Sequence, residues 1–94
     1  MFLGASEMYT CPVCGYPQLP AQPANYEICP SCGTEFDYHD ANKSHSELRA
    51  AWISQGASWH SKVVAAPRGW NATQQLIQAG FASDVPQWDV KAKQ

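Results

Sequence analysis

The sequence predicts a small α+β fold, with a ribbon of short β-hairpins on two cysteine knuckles over residues 1–43. Two short α-helices over residues 44–94 pack against it to make one compact unit. Three observations predict this. A chain of 94 residues suits one hydrophobic core and excludes a multidomain architecture. All four cysteines lie between positions 11 and 32, in two pairs of the same local form. Two sets of helix start and stop signals follow after residue 43.

The hairpins are expected where β-favouring pieces flank the cysteines: Met8-Tyr9-Thr10, Tyr26-Glu27-Ile28, and Thr34 to Tyr38. Between the pairs, Pro17, Pro20 and Pro23 make a stiff connection that is unfit for a central strand.

The first helix is predicted from about His45 to Gln55. Ser44-His45-Ser46-Glu47 is a capping box, in which serine and glutamate side chains each satisfy an orphan amide of the first turn. Leu48, Ala51 and Trp52 are expected on its apolar face, with Gly56 just past its end. The second helix starts after Asn71 as N-cap and runs to Ala79. Gly80, Phe81 and Leu76 have the spacing of a Schellman ending, which closes with a contact between the last two. So short a helix does not persist alone in water and must dock on the rest. Residues 57–70, with Trp59, Pro67 and Gly69, read as an irregular crossing segment.

Composition excludes several classes. With 45% apolar and 12% aromatic residues the chain is too hydrophobic to be disordered. It has no apolar run of the roughly 20 residues that a membrane span needs, and Met1 to Thr10 lacks the features of a secretory signal. The expected location is therefore the cytoplasm, without a membrane partner. Net charge is −2 and unevenly divided: −4 over residues 1–43, where Lys43 is the one base, and +2 over 44–94. Nucleic-acid binders cluster Lys and Arg against phosphates, so the cysteine-bearing part is poorly suited to that partner.

The cysteines carry the chemistry. Cys11-Pro-Val-Cys14-Gly15 and Cys29-Pro-Ser-Cys32-Gly33 are separated by 14 residues between Cys14 and Cys29. Two thiolates converge on one ion at about 2.3 Å when a two-residue spacer turns both sulfurs the same way. Proline presets the start of each turn, and glycine supplies the positive φ that completes it. Cys11, Cys14, Cys29 and Cys32 are thus expected to hold one zinc ion in a closed cage, iron being the alternative for a soft thiolate site. Two disulfides or free buried thiols are the competing readings, and a reducing compartment disfavours the first. Metal also answers a folding problem, because residues 8–40 hold few large apolar side chains to offset their chain entropy. Zinc binding to such segments is worth about 10 to 16 kcal/mol near pH 7.

Tyr9-Thr-Cys-Pro-Val-Cys-Gly-Tyr16 followed by Tyr26-Glu-Ile-Cys-Pro-Ser-Cys-Gly33 resembles the cysteine-rich CPCC-type zinc-ribbon proteins, a bacterial family. The likeness extends through Phe36 to Asp40, Glu47 to Trp52, Trp59, and Gly69-Trp-Asn71 with Gln75-Leu76. Val13 stands between Pro12 and Cys14, so the motif that names the family is not intact, but the four cysteines are present. The resemblance implies a small zinc-bound protein and supplies no activity. The first knuckle is also similar to that of rubredoxin, whose four cysteines hold iron but lie on knuckles roughly twice as far apart in sequence.

Other motifs yield to simpler readings. His45-Ser-Glu47 has the H-x-E form of zinc deaminases, but no P-C-x-x-C run follows it. His39, beside Asp37 and Asp40, fits a solvated turn better than a second metal site, and His45 and His60 have no evident partner. A dithiol redox centre needs one reactive pair, and zinc would passivate both. Trp52, Trp59 and Trp70 with Leu48, Leu76, Ile77 and Phe81 suffice to pack the helices on the ribbon, rather than forming a stacking platform for nucleic acid. Trp88, on a polar tail, is the clearest candidate anchor for a partner, with Trp59 and Trp70 after it. The function expected is that of a non-enzymatic, zinc-stabilised module that binds another protein. A rubredoxin-like iron electron carrier is the alternative, and a nucleic-acid-binding zinc ribbon is third.

Overall fold

Residues 8–85 are described by the computed structural model. Among them lie two α-helices, α1 (His45–Ser54) and α2 (Ala72–Gln78), and two 3₁₀ turns, His39–Ala41 and Ala82–Asp84. No β-strand or sheet occurs among the described residues, so the expected ribbon of β-hairpins is corrected. What remains of each hairpin is one isolated antiparallel bridge, Tyr9 to Leu19 around the first knuckle and Ile28 to Glu35 around the second.

The sequence next to each bridge explains why neither lengthens into a ladder. Tyr9 and Leu19 exchange both backbone hydrogen bonds at 2.9 Å, but Pro17, at the next position whose amide would face the Tyr9 segment, has none to donate. In the second hairpin Phe36 donates to Glu27 and Tyr26 donates to Phe36. Beyond these bonds Asn25, Tyr26 and Asp37 all take positive φ, between 55° and 70°, which turns the chain out of the extended region. Asp37 stabilises that turn by accepting the Asn25 amide at 2.6 Å, and the Asp37 amide donates to Asp40 at 2.7 Å. The β-favouring residues are therefore used as short clasps at the base of each knuckle.

Both helices follow their caps. Ser44 Oγ accepts from the Glu47 amide at 3.1 Å, and Glu47 Oε1 accepts from the Ser44 amide at 2.8 Å, completing the capping box. Asn71 caps α2 through the Gln74 amide at 2.9 Å. Each helix ends in a Schellman motif. In α1, Ala57 donates to the Trp52 carbonyl and Gly56 to that of Ile53; in α2, Phe81 donates to Leu76 and Gly80 to Ile77. Ala57 and Trp52 are buried together, as the hydrophobic contact of that motif requires.

The packed face of α1 differs from expectation. Arg49 and Trp52 are buried and Leu48 is half-buried, whereas Ala51 is exposed. Ile77, also expected inside, is 44% exposed. The interior is a single cluster drawn from the whole described chain. Val13, Tyr16, Leu19 and Phe36 contribute from the cysteine-bearing part, and Trp52, Ala57 and Leu76 from the rest, with Cys11, Cys14 and Cys29 at 0% exposure among them. The front part does not lack an apolar interior: its sulfurs lie inside the common one.

Residues 57–71 form the irregular crossing segment. It passes over the second knuckle, where His60 donates to the Ser31 carbonyl at 3.1 Å and Ser61 to that of Pro30 at 2.9 Å.

Candidate metal centre

The two knuckles are built alike. In the first, Gly15 donates to the Cys11 carbonyl at 2.9 Å and Cys11 to that of Tyr16 at 2.8 Å. In the second, Gly33 donates to Cys29 at 2.8 Å and Cys29 to Thr34 at 3.0 Å. Gly15 and Gly33 take φ of 87° and 82°, a conformation that L side chains resist. Space demands glycine as well. A Cβ on Gly15 would lie 2.5 Å from the Ala79 Cβ, and one on Gly33 would lie 2.6 Å from His60 Nδ1. The helix end and the crossing segment therefore seat directly on the knuckles.

The four Sγ atoms come together within 4.8 Å of one another. Cys11 and Cys32 are 3.8 Å apart, as are Cys14 and Cys29, so each of these contacts joins one knuckle to the other. A tetrahedron with metal–sulfur arms of 2.3 Å has edges of about 3.8 Å, so the spacing of the sulfurs fits a four-thiolate cage. No disulfide joins any two of the four cysteines. Clustering makes their ionisation unequal. Hydrogen bonding from Cys11, then from Cys14 and Cys29, pulls the Cys32 thiol far below its ordinary range. Cys14 is pushed far above it, first by its contact with Cys11. Packed sulfurs cannot share several negative charges unaided, and a bound metal cation would let all four ionise. A cage with four protein ligands leaves no position for an activated water, which suits a structural role.

Side chains from both helices hold the knuckles from outside. Arg49, buried on α1, donates from Nε to the Val13 carbonyl at 2.7 Å and from Nη2 to that of Pro12 at 3.0 Å. Its guanidinium lies 3.5 Å over the Phe81 ring and pairs through Nη1 with Asp84 at 3.1 Å. Gln75 on α2 donates from Nε2 to the Cys14 carbonyl at 3.1 Å and to Ser31 Oγ at 3.0 Å, which ties the first knuckle to the second. Thr34 Oγ1 lies 3.3 Å from Cys32 Sγ, and the Val13 amide donates to Cys11 Sγ at 3.4 Å. Such second contacts orient metal ligands.

The expected ligands are thus brought together. The supporting residues Arg49, Gln75, Thr34 and His60 are missed by the sequence reading. Their pairing with knuckle carbonyls and glycines is long-range, and only the position of Arg49 beside Leu48, on the side of α1 that bears Trp52, hints at it.

Trp59 and Trp70 are half-buried, in a run of edge-to-face contacts from Tyr16 to Trp59 at 5.5 Å and from Trp59 to Trp70 at 5.3 Å. Their indole N–H groups donate to the Val64 carbonyl and to Gln75 Oε1. Trp88 lies outside the described residues. His45 has a partner after all, since its Nε2 is 3.0 Å from Asp40 Oδ2. His39 accepts the Glu35 amide through Nδ1 at 2.8 Å, as part of the turn after the second knuckle.

The model of the cysteine-rich CPCC family matches residues 9–61, more than half of the chain and both knuckles. The chain belongs to the cysteine-rich CPCC family. No curated protein and no solved structure matches it. The family match ends within the crossing segment, so α2 and Gln75 lie beyond it. Membership adds to the geometry a cysteine-rich pattern able to hold a metal.

Proposed function

We propose that the protein is a non-enzymatic, zinc-stabilised module that binds another protein. The observation that carries the first half is the sulfur cluster, whose spacing fits a closed tetrahedral cage inside the core. Zinc in such a cage supplies cohesion and charge neutralisation rather than a reactive water. Arg49, Gln75 and Thr34 would hold the ligand loops in register.

Support for a protein partner comes from the surface. Ile28, Val63 and Val64 are 53%, 94% and 49% exposed and line one groove with Leu19, Pro20 and Pro30. Exposed aliphatic side chains around a concave apolar floor favour an apolar segment of another protein. Among the described residues no helix is long and apolar enough to cross a membrane.

Two experiments test the reading. Cys29→Ser removes one ligand; the expected result is loss of bound metal and of amide dispersion over the knuckles, and an unchanged spectrum would refute a structural metal. Val63→Glu places a charge at the most exposed apolar position; reduced capture of the partner is expected, and unchanged capture refutes this surface. Red protein bleached by dithionite would instead indicate an iron electron carrier.

A further inference from the structure

The four cysteines of the cage are not equally shielded from solvent. Cys11, Cys14 and Cys29 have no exposed surface, while Cys32 is partly exposed. The cause is unequal cover. Arg49 of α1 and the Gln75 and Ala79 end of α2 cover the first knuckle; the second is covered by His60, Ser61 and the Gln75 side chain over its Pro30, Ser31 and Gly33 positions, which leaves Cys32 on the uncovered edge. Between the second knuckle and α1 runs a groove of about 230 Å³, lined by Cys32, Thr34, Leu48, Ala51, Trp52 and Gln55.

From this we infer that Cys32 is the modification site of the centre, the sulfur at which small electrophilic oxidants attack, and that the first oxidation product is a Cys11–Cys32 disulfide with loss of the metal. The inference rests on the structural-metal reading above. With hydrogen peroxide as oxidant, the Cys32 sulfur attacks one peroxide oxygen; an S–O bond forms, the O–O bond breaks, and hydroxide leaves as water after taking a proton. Cys11 Sγ, 3.8 Å away across the knuckles, then attacks the Cys32 sulfenic sulfur. The S–S bond forms, the S–O bond breaks, and the oxygen leaves as a second water. Two thiolates lose two electrons in total, and one peroxide and two protons become two waters. With two of its four thiolates consumed, the cage no longer holds the cation.

The test treats the intact, metal-loaded protein with less than one equivalent of peroxide, alkylates the remaining thiols and cleaves after glutamate. Cleavage after Glu7, Glu27 and Glu35 puts Cys11 and Cys14 on one peptide and Cys29 and Cys32 on another. The expected product is a cross-link between the peptides through Cys11 and Cys32, with alkylated Cys14 and Cys29 and one metal ion lost per disulfide. A first disulfide within either peptide, or oxidation spread evenly over the four sulfurs, overturns the inference. Metal content of the untreated sample tests the structural-metal reading separately. Ala51→Trp, at an exposed position of α1 on the groove, should keep the metal and slow its peroxide-driven loss several-fold; an unchanged rate in the loaded variant also overturns the inference.

Discussion

Replacing Arg49 with leucine should be among the most damaging changes outside the cysteines, though the residue is neither a ligand nor an apolar core member. The substitution removes a guanidinium that donates to the Val13 and Pro12 carbonyls and stacks on Phe81. Hydrogen bonds from a charged donor are worth about 1.5 to 3 kcal/mol each, and the lost stacking adds about 1 kcal/mol. The pair with Asp84 adds little, because that carboxylate is 44% exposed. Leucine recovers part of the packing, so a net loss of about 3 kcal/mol is expected. Because the Val13 and Pro12 carbonyls belong to the first knuckle, that loss should also appear in metal affinity. At about 1.4 kcal/mol per decade, competition against a chelator should show roughly hundredfold weaker binding. Arg49→Lys keeps the charge but cannot fork across two carbonyls, and should fall between. Denaturant unfolding and chelator competition on the same three proteins measure both effects. A leucine variant within about 0.5 kcal/mol of the parent would refute the reasoning, because surface substitutions fall in that range.

Glycine positions should rank by what a methyl group would meet. Gly15→Ala and Gly33→Ala should each cost more than Gly56→Ala, whose added Cβ has nothing within 4 Å and which pays only the positive-φ cost of about 1 to 2 kcal/mol; equal melting temperatures would contradict this. His60→Ala should rescue Gly33→Ala in part, since the clash is with that ring, and additivity of the two changes would show otherwise. Leu76→Ala empties a site with no exposed surface and should cost about 2 to 5 kcal/mol in denaturant unfolding, a loss under 1 kcal/mol being the contrary result. The Ser44 amide beside Glu47 lowers its carboxyl below the ordinary glutamate value. That contribution to α1 is present above the ordinary value and is lost as pH falls through the lowered one. Glu47→Ala should therefore flatten the acid limb of helix content followed by circular dichroism; an unchanged limb would contradict the assignment.

Local chemistry was legible in the sequence. Ser44, Glu47 and Asn71 sit where caps were expected, the Gly80 and Phe81 ending forms as spaced, and the cysteine pairs converge. Each of these depends on contacts within a few residues, except the convergence, which two matching knuckles already encode. The β-hairpins failed because β propensity says nothing about how far pairing continues; the proline amide missing at 17, and the left-handed residues 25, 26 and 37, stop it after one bridge. Asn25, Tyr26 and Asp37 are not glycine, so that stop left no mark in composition. Arg49 was invisible as a buried residue because a cation on a helix ordinarily faces water, and its partners lie 35 to 37 positions away. The exposed side of Ala51 follows from the same event, since burying Arg49 rotates the packed face of α1 away from it.

Elemental analysis of the native protein, paired with a count of reactive thiols before and after denaturation in chelator, tests most directly whether four sulfurs hold one ion. The expected result is one zinc per chain, with three thiols unreactive in the native state and four reactive once the metal is removed. A metal-free protein whose sulfurs are joined in two disulfides, or freely reactive from the start, would contradict it.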